Sequence, residues 1–164
     1  MSDLNENIRI KIHSELYEVD ASLFSTETID FDNLPISKEN PDPEIMDINS
    51  LGKYEDDGER VSVSYHESEA TGMEGSLTTV TFLKSSPEIV SMVREGVVSA
   101  TLTFEAGKRH HCIYKTPFMP FEVCVRTLKV DNALLCGGGL TLDYVVEIRG
   151  AKAERTKFSM QILN

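Results

Sequence analysis

Four groups of residues in this chain are of types that do chemistry. Glu67, Glu69 and Glu74 fall around Gly72, and carboxylates held close together shift each other's pKa and serve as acid and base. The competing reading is an acidic corner on a solvated loop, where most carboxylates lie. His110-His111-Cys112 has the composition of a ligand tract. Neighbours on a strand point to opposite faces, so His110 shares a face with Cys112 and Tyr114 but not with His111. One His and one Cys are half of a closed zinc site, and no metal is expected. Gly137-Gly138-Gly139 is not followed by a helix, and no phosphate-cradling glycine motif or G-x-S-x-G elbow occurs. No cofactor and no catalytic residue is assigned.

The fourth group is Arg94, His110, Tyr114 and Glu67, which fall near strand ends or on faces that turn inward in a barrel. As a candidate ligand site they supply polar anchors, with walls from Tyr65, Leu102 and Phe104. The competing reading is an internal Arg–Glu network that holds the barrel's shape, because a buried charge must be paired or hydrogen-bonded.

The elements that must position these groups are strands. Val98, Ala100, Leu102 and Phe104 alternate with Ser99, Thr101, Thr103 and Glu105, which gives one apolar and one polar face. Ala106-Gly107-Lys108 turns the chain into a second strand, Arg109 to Tyr114, and Pro117, with no amide hydrogen, ends the ladder. The whole of 94–117 reads as one β-hairpin. The same period of two recurs over 8–19, 46–54, 60–67, 77–83, 118–130, 140–148 and 155–163, and 88–94 reads as a strand of mixed face, with turn residues between. About ten strands follow, and no stretch has a sustained helical period. Residues 20–44 are acidic, carry Pro35, Pro41 and Pro43, and read as an irregular insertion with a short helical turn around Ser25–Phe31. Sequential hairpins with few long crossovers favour an all-β, antiparallel up-and-down barrel of about 8–10 strands over a Greek-key sandwich.

At 164 residues the chain is one domain, spanning 1–164. A net charge of −11 repels a phosphate backbone, so nucleic acid is not an expected partner. The acidity is uneven: residues 1–59 carry 16 acidic and 4 basic side chains, residues 60–164 carry 11 and 12. No apolar run approaches the ~20 residues of a membrane span, and the N-terminus lacks the pattern of a signal peptide. A cytoplasmic protein without a membrane partner is expected. Cys112, Cys124 and Cys136 have no C-x-x-C spacing and read as free thiols.

The ordered series Tyr65-His66-Glu67-Ser68-Glu69, Gly72 to Gly75, Arg94-x-Gly96, Phe104-Glu105-x-Gly107-Lys108-Arg109-His110, Tyr114-x-Thr116-Pro117, Arg126-Thr127 and Gly138-Gly139-Leu140-x-Leu142-Asp143-Tyr144 resembles the YwiB-like family of small bacterial proteins, over roughly 46–162. The resemblance implies a calycin-type, lipocalin-like barrel of unassigned biochemical function. The chain departs from that pattern in the length of 20–44 and in Met119-Pro120 after the Thr-Pro. Without Trp it also lacks the Gly-x-Trp signature of true lipocalins.

The functional expectation is a non-enzymatic intracellular barrel that binds a small molecule at its open end. The alternative is a structural or protein-interaction module with a filled barrel, for which the partner to test is a second copy in a homodimer. An enzyme working through Glu67 or Glu74 with His110 is the third reading.

Overall fold

Ten antiparallel strands wind into a nearly closed, calycin-like barrel in a computed structural model of the chain. The structure describes residues 4–20, 22–24, 36–37, 41–68, 74–148 and 153–163, with side chains from residue 7 onward. The expected helical turn at Ser25–Phe31, and Glu69 and Gly72 of the acidic corner, lie outside these residues. The strands are β1 Leu4–Val19, β2 Glu44–Asp56, β3 Arg60–His66, β4 Leu77–Leu83, β5 Ser86–Glu95, β6 Ala100–Glu105, β7 Arg109–Tyr114, β8 Phe121–Asn132, β9 Leu140–Ile148 and β10 Ala153–Leu163. Among the described residues the one helical piece is a 3-10 turn at Leu134–Cys136, and no helix is long and apolar enough to cross a membrane.

The sheet order is β6-β5-β4-β3-β2-β1-β10-β9-β8-β7. Every strand thus pairs with its sequence neighbour except at two places. The first is favourable: β1 and β10 pair over eleven positions, Arg9 with Leu163 to Val19 with Ala153, so the chain ends are joined. The second corrects the sequence reading. β6 and β7 are the sheet's two free edges, and they form no ladder.

The expected hairpin is therefore pinned at its ends and open between them. At one end Ser99 and Lys115 exchange backbone hydrogen bonds of 3.0 and 2.9 Å. At the other, the Gly107 amide donates to the Thr127 carbonyl at 2.9 Å and the Thr127 amide to Lys108 at 3.2 Å. The Lys108 amide closes the turn on the Glu105 carbonyl at 3.0 Å, while the Gly107 amide and the Lys108 carbonyl are satisfied by β8, whose pairing with β9 shifts register between Thr127 and Lys129. Gly107 takes φ +81°, the positive value the turn requires.

Alternation along the strands puts one apolar row inside. Ile8, Ile10 and Ile12 of β1 meet Val61 and Val63 of β3, Val80 and Phe82 of β4, Met92 of β5, Phe104 of β6, Val125 of β8, Leu140 and Leu142 of β9 and Met160 of β10 in one buried cluster. Gly52 marks the tightest approach: a Cβ there would lie 2.3 Å from Ile10 Cδ1 and 2.6 Å from the Ser64 carbonyl oxygen. A smaller cluster covers the outer face, where Leu23 sits on Cys124, Val145 and Ala153. It is tied down by the Leu23 amide, which donates to Glu147, and the Leu23 carbonyl, which accepts from Arg109 at 2.7 Å.

Candidate functional site

The inner rows change character toward one end of the barrel. On β5 the row Val90, Met92 ends in Arg94; on β3 Val63 is followed by Tyr65 and then Glu67; on β4 Val80 is preceded by Thr78. On β10 Phe158 is preceded by Thr156 and Glu154, and β7 ends in Tyr114. Of these, Arg94, Tyr65, Glu67, Phe158, Thr156, Glu154 and Tyr114, with Tyr144 of β9 and apolar walls including Ile12, Ile48 and Leu102, line a cavity of about 310 Å³. A buried apolar cluster thus fills the barrel beneath this cavity.

Two ionic groups, the buried Glu67 and the half-buried Arg94, line the cavity and do not pair with each other. The Glu67 carboxylate accepts a 2.6 Å hydrogen bond from the Thr78 hydroxyl and one from Tyr65. Arg94 donates from Nη1 to the Tyr114 hydroxyl at 3.0 Å, while its Nε is buried with no hydrogen-bond partner. No carboxylate stands within ion-pair distance of the guanidinium among the described residues. Burial alone would weaken Arg94's hold on its proton, but the oxygens of Tyr114, Tyr144 and Tyr65 and the Glu67 carboxylate reverse this, and its pKa rises. Burial also pushes up the phenols of Tyr65, Tyr114 and Tyr144. Glu154 is raised as well, by burial first and then by the charges of Glu18 and Glu44.

The fate of each expected site residue can now be given. Arg94, Tyr114, Glu67 and Tyr65 line one cavity, as does Leu102. Phe104 does not; it lies fully buried beneath it, its ring centroid 4.6 Å from that of Tyr144. His110 also stays out, and its Nε2 reaches Glu105 at 3.3 Å. A Glu67–His110 pair is therefore not assembled at the cavity, and Glu74 is exposed. Glu67 itself is buried, which corrects its place in a solvated acidic corner. It continues the inward parity of Val61, Val63 and Tyr65, and the Thr78 hydroxyl compensates its burial. Tyr144, Thr156 and Glu154 complete the polar lining without having been singled out, and Thr78 supports it from behind through Glu67; each sits on the inner parity of an otherwise apolar row, which is the signal that marks them.

The His-Cys tract divides as strand geometry requires. His111 points outward, with Nε2 3.8 Å from the Cys124 sulfur and Nδ1 3.8 Å from Glu122. Cys124 is fully buried and burial raises its pKa, so it stays a thiol and not a nucleophile. Among the described residues no group of three or more His, Cys, Asp or Glu could hold a metal ion. A larger groove of about 800 Å³ runs along Arg9, Leu51, Lys53, Ser64 and His66, but its charged side chains are all exposed and act through screened electrostatics. The enclosed cavity is the chemically distinctive one.

Replacing Thr78 by Val is an isosteric test of the Glu67 contact. It leaves a buried carboxylate oxygen without its donor, and the expected loss is ~1.5–3 kcal/mol, the scale of a hydrogen bond to a charged group. Urea unfolding measures it, and Thr78→Ser should recover most of the loss.

Fold and site together define the class: a calycin-like barrel with a polar-lined cavity at one end. The chain belongs to the family described as a domain of unknown function, DUF1934, which matches residues 29–160. Among solved structures it is similar to the ywiB protein from Bacillus subtilis, with 16% identity, a TM-score of 0.60 and coverage of 96% of this chain and 94% of that one. At that identity the likeness speaks for the fold. No curated protein matches the chain.

Proposed function

We propose that this protein is a non-enzymatic barrel that binds a small molecule in the cavity between Arg94, Tyr114, Glu67 and Tyr65. The observation that carries the reading is Arg94, which lines a cavity of about 310 Å³ with a guanidinium whose buried Nε has no hydrogen-bond partner. A buried polar group left unsatisfied costs ~1–3 kcal/mol, and a ligand acceptor removes that cost. The volume lies at the lower end of the ~300–1,000 Å³ usual for ligand pockets. Native mass spectrometry of the protein purified from its own host should show a retained small molecule. A bare mass, together with no shift in melting temperature across a small-molecule library, would remove the proposal.

A second reading, self-association, is favoured by a separate observation. Val97, in the loop after β5, and Phe118 and Met119, in the loop after β7, are exposed apolar residues at the cavity end, Phe118 at 94%. Light scattering across a dilution series tests it: a dimer that Phe118→Asp dissociates supports this reading, and a monomer at every concentration removes it.

A further inference from the structure

We infer that the cavity is built for a monocarboxylate with an apolar body, whose carboxylate engages the Arg94 guanidinium. This rests on the ligand-binding reading above and names the class of ligand.

The argument begins with what Arg94 lacks. A guanidinium has five N–H donors in a rigid fork, and here the protein occupies it with one phenol oxygen, Tyr114, at 3.0 Å. Tyr114 takes the Nη1 corner and leaves the Nε edge, whose nitrogen is buried and unpartnered. A carboxylate fits such an edge with two parallel hydrogen bonds. Glu67 does not fill this role, being held on Thr78 at 2.6 Å.

Charge then selects among anions. Arg94 is the one cation among the residues that line the cavity, and two acids, Glu67 and Glu154, line it too. A phosphate monoester carries close to two negative charges near neutrality and would meet one guanidinium against two carboxyl groups. A single carboxylate matches the single free cation. An amine would be repelled by Arg94, and a neutral amide would offer the fork a weaker acceptor than a carboxylate does.

The walls select the rest of the molecule. Ile12, Ile48, Leu102, Val146, Ile148 and Phe158 are apolar and face the same volume, so the body of the ligand is hydrocarbon or aromatic. Glu67 carries its own Thr78 and Tyr65 donors and asks nothing of it.

The test is calorimetric titration of the full chain with phenylacetate and hexanoate, their amides phenylacetamide and hexanamide, and phenyl phosphate. The expected result is that each acid binds about tenfold or more tightly than its amide, the scale of a charge-assisted hydrogen bond, and that phenyl phosphate binds more weakly than phenylacetate. Arg94→Met should bring acid and amide to the same affinity. Arg94→Lys, which keeps the charge and loses the fork, should retain only part of the preference. Tyr114→Phe, a milder change that leaves the guanidinium in place, should keep the acid preference and so serves if the Arg94 variants do not fold. Equal binding of acid and amide to the unaltered protein, or a preference that survives Arg94→Met, overturns the carboxylate class while leaving a ligand cavity standing. Binding of neither series overturns both.

Discussion

Raised above pH 10, the protein should unfold over about two pH units, and the tyrosines of the cavity should set the slope. Tyr65 and Tyr144 are 5% and 6% exposed, and burial, ahead of every neighbouring charge, raises both phenols above their ordinary pKa near 10. Glu67 adds to the rise at Tyr65. In the unfolded chain the same groups ionise near 10. Above that pH the folded state holds more protons than the unfolded state, so stability is fully present below pH 10 and falls as pH rises toward the folded values. Each buried tyrosine contributes a slope of ~1.4 kcal/mol per pH unit, and two give about 3. Tyr114 is shifted in the same direction and steepens the fall. Against a typical domain stability of ~5–15 kcal/mol, two units suffice to unfold a protein at the lower end of that range. Circular dichroism, with tyrosinate absorbance followed in parallel, measures the loss, and ionisation should coincide with unfolding. Tyr144→Phe should remove about half of the slope. Tyrosines that titrate near 10 in a protein that stays folded would contradict the buried site.

The cavity these three tyrosines line shows which parts of this molecule a sequence makes legible. Strand alternation is local, and it located all ten strands, with β4, β7 and β9 matching at both ends. It also placed Tyr65 inward behind Val61 and Val63, and grouped Arg94, Tyr114 and Glu67 with His110 on faces that turn inward, of which the cavity takes all but His110. Glu67 needed one more step along the β3 parity, past the exposed His66, where the glutamate-rich context points the other way. Thr78 and Glu154 required knowledge of which rows end at the same rim, which is a property of the closed sheet and not of any one strand. The hairpin at 94–117 shows the converse. Its local signals are correct, Gly107 included, yet the ladder between β6 and β7 is missing because Thr127, distant in the chain until the barrel closes, takes the turn's hydrogen bonds. Local pattern specifies a strand and its faces; competition for backbone partners is decided by the closed topology.

The seam makes Phe104 the side chain whose loss should cost most. It is fully buried on β6, a strand with a ladder on one side only, where Phe104 stands opposite Val90 of β5. Packing therefore has to hold β6 where hydrogen bonds to β7 do not. Its ring sits 4.6 Å from Tyr144 at an interplanar angle of 50°, a tilted contact of the kind that adds ~0.5–1.5 kcal/mol beyond burial. Phe104→Ala should cost ~3–5 kcal/mol, read as a shift in urea midpoint with little change in slope. Phe104→Leu keeps most of the apolar volume and should cost well under half of that. The loss should also be local in its first effect. With the ring gone, Tyr144 loses its support from below and the cavity gains volume, so amide hydrogen exchange should quicken along β6 and β7 before the β1–β10 ladder, which has paired strands on both sides, responds. Uniform acceleration across all ten strands would mean that the seam has no separate weakness, and that the Ser99–Lys115 and Gly107–Thr127 hydrogen bonds alone hold the two edges together.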